Sequence, residues 1–145
     1  MTFDNLDPNK EYSITTTANR DNYPDARYAR VTILGAETYT QASSTGVVVN
    51  SEDSVSFCVG YNTVNGYVAK WTGVTTGPDG SFSIQSQWDN TLGSGTDNTK
   101  GYAMSAFCLE EVVPPASNFT IIPLPDTQKY SASSVSYTHL TLPTN

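Results

Sequence analysis

Histidine is almost missing from this chain of 145 residues: His139 is its only one, so residues 1–134 hold none. That absence excludes a Ser-His-Asp or Cys-His nucleophile from the whole of that stretch, because each needs an imidazole to accept the nucleophile's proton. Cysteine is scarce as well. Cys58 and Cys108 are the only two, enough for one disulfide and a poor set for a metal without histidine beside them. Charge is thin, at 14% of residues, and mostly of one sign, with a net −7 and a pI near 4.3. Such a chain lacks the basic footprint that nucleic-acid backbones require. Long apolar runs are also lacking. None approaches the roughly 20 residues that span a bilayer. Met1-Thr2-Phe3-Asp4 has neither the basic nor the apolar region of a secretory leader.

What is present is tyrosine, nine of them, with aromatics at 11% and many Ser, Thr, Asn and Gly. That is the balance of an extracellular β-protein rather than of a helical or disordered one. Short segments of period two recur between turn residues. Tyr12, Ile14 and Thr16 alternate with polar neighbours. Arg27–Leu34 is a strand carrying Tyr28, Val31 and Ile33, and Thr38–Asn50 carries Val47-Val48-Val49. Ser54–Gly60 places Val55, Phe57 and Val59 on one face. Asn65-Gly66 is a strong hairpin signal, and it predicts Tyr67–Thr72 as the returning strand. Gly77-Pro78-Asp79-Gly80 is a turn before Ser81–Trp88, and Gly101–Glu111 closes the series. About seven strands with no helical period predict an all-β fold, an antiparallel β-sandwich of jelly-roll or fibronectin-like type. Pro114-Pro115 then marks a stiff linker over 113–118.

The side chains offer binding chemistry more readily than catalysis. Tyr61, Tyr67, Trp71, Trp88 and Tyr102 can supply flat faces for sugar rings, with Asn62, Asn65 and Asn90 as amide partners. Tyr61, Asn62, Asn65, Tyr67 and Trp88 form the candidate glycan site, and core packing is the competing role for the aromatics. Asp89, Asp97 and Asn98 are candidate calcium ligands by virtue of their oxygens, with solvated loop polarity as the alternative. Glu110-Glu111 are adjacent in a strand and point to opposite faces, so they are no acid–base pair. Cys58 and Cys108 sit in matching contexts, Ser56-Phe57-Cys58 and Ala106-Phe107-Cys108. They can bond if their strands are neighbours and are otherwise free thiols.

Four resemblances add to this reading. Leu6, Pro8 and Tyr12 are spaced as in the tyrosine corner of fibronectin type III and related sandwiches. The likeness implies that the Tyr12 hydroxyl bonds back to upstream backbone and that earlier strands are missing. Residues 3–111 carry a wider pattern: Asn5-Leu6-Asp7-Pro8, Lys10 and Tyr12, then Gly60 to Val68, Asp79-Gly80-Ser81-Phe82 and Lys100-Gly101-Tyr102-Ala103. It resembles accessory sandwich domains, fibronectin- or galactose-binding-like, appended to secreted bacterial hydrolases. Phe119–Ser131 resembles the opening strand of secreted calcineurin-like metallophosphoesterases. That family's first motif, Asp-x-His, helps hold one of two metal ions. By position Asp126 is then a ligand, and Gln128, a weaker and neutral one, stands where the His belongs. The family's later motifs are missing, so a divalent metal pair is implied for the parent protein and no cofactor for this stretch itself. Val135–Thr144 resembles the in-frame translation of a transposase-based sequencing adapter, and 135–145 are set aside from fold reasoning.

The expected organisation is a sandwich module at 1–112, the linker at 113–118, the truncated start of a phosphoesterase domain at 119–134 and the foreign tail. The expected role is a non-catalytic accessory module of a secreted bacterial metallophosphoesterase, extracellular or cell-surface, with polysaccharide or surface glycan as the partner. The alternative is a carbohydrate-binding, adhesion or spacer module outside any enzyme.

Overall fold

The computed structural model describes residues 1–20, 27–93 and 103–113. Nine strands form where apolar and β-branched residues alternate with polar ones: β1 (Thr2–Phe3), β2 (Tyr12–Thr17), β3 (Tyr28–Leu34), β4 (Ala36–Gln41), β5 (Val48–Ser51), β6 (Ser54–Cys58), β7 (Ala69–Thr76), β8 (Phe82–Trp88) and β9 (Ala106–Glu111). One helical turn, α1 (Asn62–Asn65), lies between β6 and β7. The strands build two antiparallel sheets, β1-β8-β3-β6-β5 and β4-β7-β2-β9. The described residues form an all-β sandwich, as the period-two segments predict.

The pairing is nested: β1 with β8, β2 with β7, β3 with β6. Nested pairs wrapped into two sheets make a jelly roll rather than a fibronectin-like run of hairpins. Consecutive strands accordingly alternate between the sheets, and only β5 and β6 are joined as a hairpin, across Glu52-Asp53. This topology overturns the hairpin expected at Asn65-Gly66. Strands β6 and β7 belong to opposite sheets, so the connection must bridge the sandwich. It does so through α1, with Gly66 (φ 69°, ψ 26°) as its left-handed C-cap. The stretch 38–50, read as one strand, splits for the same reason into β4 and β5, one in each sheet.

The core lies between the sheets. Trp71, Phe57, Phe82, Ile14, Ile33 and Ile84 are its largest buried side chains, with Val31, Val55, Val59 and Val74 around them. Burial of each such side chain contributes roughly 1.5–3 kcal/mol. Trp71 also donates its indole N–H to the Glu52 carbonyl at 2.9 Å, tying β7 to the β5–β6 turn of the other sheet. Tyr12, buried at the start of β2, accepts the Asp7 N–H at 2.9 Å through its hydroxyl. The bond back to upstream backbone is the one the tyrosine-corner spacing implies, although here it opens the second strand rather than a late one.

The two ends of the sandwich differ. At one end most connections are tight, namely Gly35 alone between β3 and β4, Glu52-Asp53, and the turn closed by the Gly80 N–H to the Gly77 carbonyl at 2.9 Å, beside the longer connection 4–11 between β1 and β2. At the other lie 42–47 and 59–68, with the described residues 18–20, 27, 89–93 and 103–105 at the ends of their strands. Long loops on a rigid scaffold are where binding residues concentrate.

Candidate functional site

Strand register places the candidate residues at this long-loop end. Tyr28 is opposite Cys58, and Ala29 is opposite Trp88, so the start of β3 meets the ends of β6 and β8. Tyr61, Asn62, Asn65 and Tyr67 follow β6 directly. Trp88 (41% exposed) and Tyr61 (44%) present their rings to solvent. Tyr67 is half-buried, with its ring edge filling the space where a side chain on Gly46 would stand. Trp71, also considered for the platform, is instead wholly in the core.

Asn62 is buried, and its amide is fully committed. The two hydrogens of its Nδ2 are shared among three acceptors, the Ala18 carbonyl, the Tyr67 carbonyl and Thr17 Oγ1, each at 2.9 Å, while its Oδ1 accepts the Tyr67 N–H at 2.7 Å. This corrects the sequence reading. Asn62 is a clamp between the 59–68 connection and the end of β2, leaving no donor for a sugar. Its neighbour Tyr61 sits at φ 53°, ψ 26°, a left-handed conformation that β-carbon sterics disfavour. It is held there by its N–H on the Arg20 carbonyl at 3.3 Å and by the α1 amides of Val64 and Asn65 on its own carbonyl. Asn65 is exposed, with a long 3.4 Å contact to the Gly60 carbonyl.

Asp89 is the most confined ionisable group of this end, 1% exposed. Arg30 approaches Oδ2 with Nε at 3.1 Å and Nη2 at 3.0 Å, and Ser56 donates to the same oxygen. Thr91 donates to Oδ1 from its N–H at 2.9 Å and its hydroxyl at 2.6 Å. Ser56, itself buried, accepts from Asn50 Nδ2 at 2.7 Å. Desolvation pushes the carboxyl up, but hydrogen bonds from Ser56, Thr91 and Arg30 outweigh it and bring the pKa from 3.8 to about 2. Five donors occupy the oxygens that a calcium ion would need, so this network replaces the calcium role expected of Asp89. Nothing in the linear sequence flagged Arg30, Asn50 or Ser56. Strands β3, β5 and β6 bring them together only once the sheet is formed, and the cross-strand pair Arg30–Ser56 is the register that does it.

Surface charge is segregated. The loop from Asp4 to Glu11, Glu37, the Glu52-Asp53 turn, Asp79 and Glu110-Glu111 lie toward the tight-turn end. Among the described residues, the long-loop end carries one acid, the buried Asp89. Asp21, Asp25 and Asp97 lie outside the described residues, as do Asn98, Tyr102, Asp126 and Gln128. Cys58 is on β6 and Cys108 on β9, in opposite sheets, and both are free thiols. Their strands are not neighbours, and the disulfide alternative falls on that ground. No group of three His, Cys, Asp or Glu side chains placed to hold a metal ion occurs among the described residues. No helix among them is long and apolar enough to cross a membrane.

Fold and site together define an antiparallel jelly-roll sandwich with one elaborated loop end. Comparison with known protein families, curated proteins and solved structures finds no match for the chain.

Proposed function

We propose that residues 1–112 are a non-catalytic accessory module of a secreted bacterial metallophosphoesterase. Residues 113–118 link it to the catalytic domain, of which 119–134 are the first strand. The observation that supports the non-catalytic role is Asp89. A strongly shifted carboxylate is ordinarily a first candidate for acid–base or metal chemistry. This one has both oxygens occupied by structural donors. In the parent, Asp126 would hold one ion of a metal pair, which would supply the activation of water against a phosphate ester. A long sequencing read of the source DNA through codon 134 tests this reading. It should replace Val135–Thr144 with codons that run on into Gly-Asp, Gly-Asn-His and Gly-His motifs. A stop codon or a further sandwich repeat would overturn the enzyme parent.

A second reading, extracellular glycan binding by the module itself, is favoured by Tyr61. An exposed aromatic ring is held in a backbone conformation that glycine would adopt without strain, on the same loop end as an exposed Trp88, an end whose described surface lacks acids. Stacking on a sugar face gives such a ring a use. Titration with uncharged polysaccharides should change Trp fluorescence in the native chain and not in Trp88→Phe, with weakened binding in Tyr61→Ala. Absence of any response, together with unaltered mobility in affinity electrophoresis, removes the glycan reading and leaves a spacer.

A further inference from the structure

Asn65-Gly66 is the one Asn-Gly dipeptide in the chain, and the fold gives it no hairpin to form. We propose that it is a deamidation site, through which the long-loop end slowly acquires a covalently fixed negative charge. The step is intramolecular. The Gly66 backbone nitrogen attacks Asn65 Cγ; the N–Cγ bond forms, the Cγ–Nδ2 bond breaks, and ammonia leaves with the proton given up by the Gly66 amide. The cyclic imide then opens with one water to aspartate, or to isoaspartate with the chain running through the former side-chain carbonyl. No oxidant, reductant or cofactor takes part.

The structure supplies both access and a gate. Asn65 is exposed, and no atom lies within 4 Å of the place a Gly66 side chain would occupy, so the Cα side of Gly66 is open. The gate is a pair of hydrogen bonds. Gly66 N–H donates to the Asn62 carbonyl at 2.8 Å, and Asn65 Nδ2 donates to the Gly60 carbonyl at 3.4 Å. Attack requires both to open, which means melting α1. A helix of one turn has little cooperativity to resist that opening. The product places a carboxylate two residues from Tyr67 and four from Tyr61, at an end whose described surface has no acid. The isoaspartyl form also lengthens the backbone by one carbon and removes the geometry that lets Gly66 cap α1.

The full chain, incubated at mildly alkaline pH and followed by intact mass and peptide mapping, tests this beside the same chain kept unfolded in urea. The folded protein should gain one mass unit at Asn65 first, as aspartate and isoaspartate, at a rate roughly ten- to a hundred-fold below the unfolded chain. Asn65→Gln should abolish that gain. Either of two results overturns the proposal: Asn65 stays intact in the folded protein while the unfolded chain converts, or conversion falls first on Asn50, Asn62 or Asn90.

Discussion

Two residues of the long-loop end make opposite predictions about stability. Asp89 binds five donors, and Asp89→Asn leaves the Arg30 guanidinium without its carboxylate and removes acceptor capacity from Ser56 and Thr91. The variant should lose about 2–3 kcal/mol in urea denaturation. The pH dependence has a definite sign. The folded carboxyl is depressed to about 2 from 3.8, so its contribution is present above the ordinary value and is lost as pH falls from there through about 2. Native protein should lose stability over that window, and Asp89→Asn should lose less of it. Equal slopes would mean that the network does not bind the ionised form preferentially. Tyr61 works the other way. Tyr61→Gly relieves the left-handed strain and should raise stability by up to about 1 kcal/mol. A loss instead would show that the ring is packed for structure, and the argument for its use as a ligand platform would go with it.

At the scale of elements, the connection from β6 to β7 carries the main lesson about what a sequence discloses. Alternation alone places nearly every strand, because a period of two reports one buried face wherever the segment sits. It does not report which sheet the segment joins. Asn65-Gly66 and the Val47-Val48-Val49 stretch mislead for this reason: each lies where the chain changes sheet, a fact set by the pairing of the flanking strands rather than by the local residues. The candidate site divides in the same way. Tyr61, Asn65 and Trp88 were found as exposed polar and aromatic residues near turns. The Arg30–Ser56–Asp89 network was not, since only the sheet register assembles it. The long-loop end also depends on one close approach. A β-carbon on Gly46, at φ 94°, would stand 2.5 Å from Tyr67 Cε1. Gly46→Ala should therefore displace the Tyr67 ring and cost about 1–3 kcal/mol. A wild-type thermal midpoint with an unchanged Tyr environment would contradict that packing.

The described part of the molecule is polarised. Its described surface acids are gathered toward the tight-turn end, while the only described acid of the opposite end is buried and paired. Like charges on neighbouring turns repel in the folded state and are released when the chain unfolds, so their clustering opposes folding rather than helping it. A surface ion pair set against this is Lys10 with Glu111 at 2.9 Å, whose hydrogen bond raises the Lys10 pKa. Exposed charges are screened over about 10 Å at 0.1 M ionic strength. Added salt should thus weaken the repulsion among many acids more than it weakens a single pair. The urea midpoint should rise when sodium chloride is raised from near zero to about 0.1 M, with little further change until salt acts on hydration instead. The rise should shrink when Glu52 and Asp53, which share one turn, are both changed to their amides. A midpoint that falls with salt would mean that attractive pairs govern the surface, and the acidic end would then have to be balanced by cations closer than Lys10.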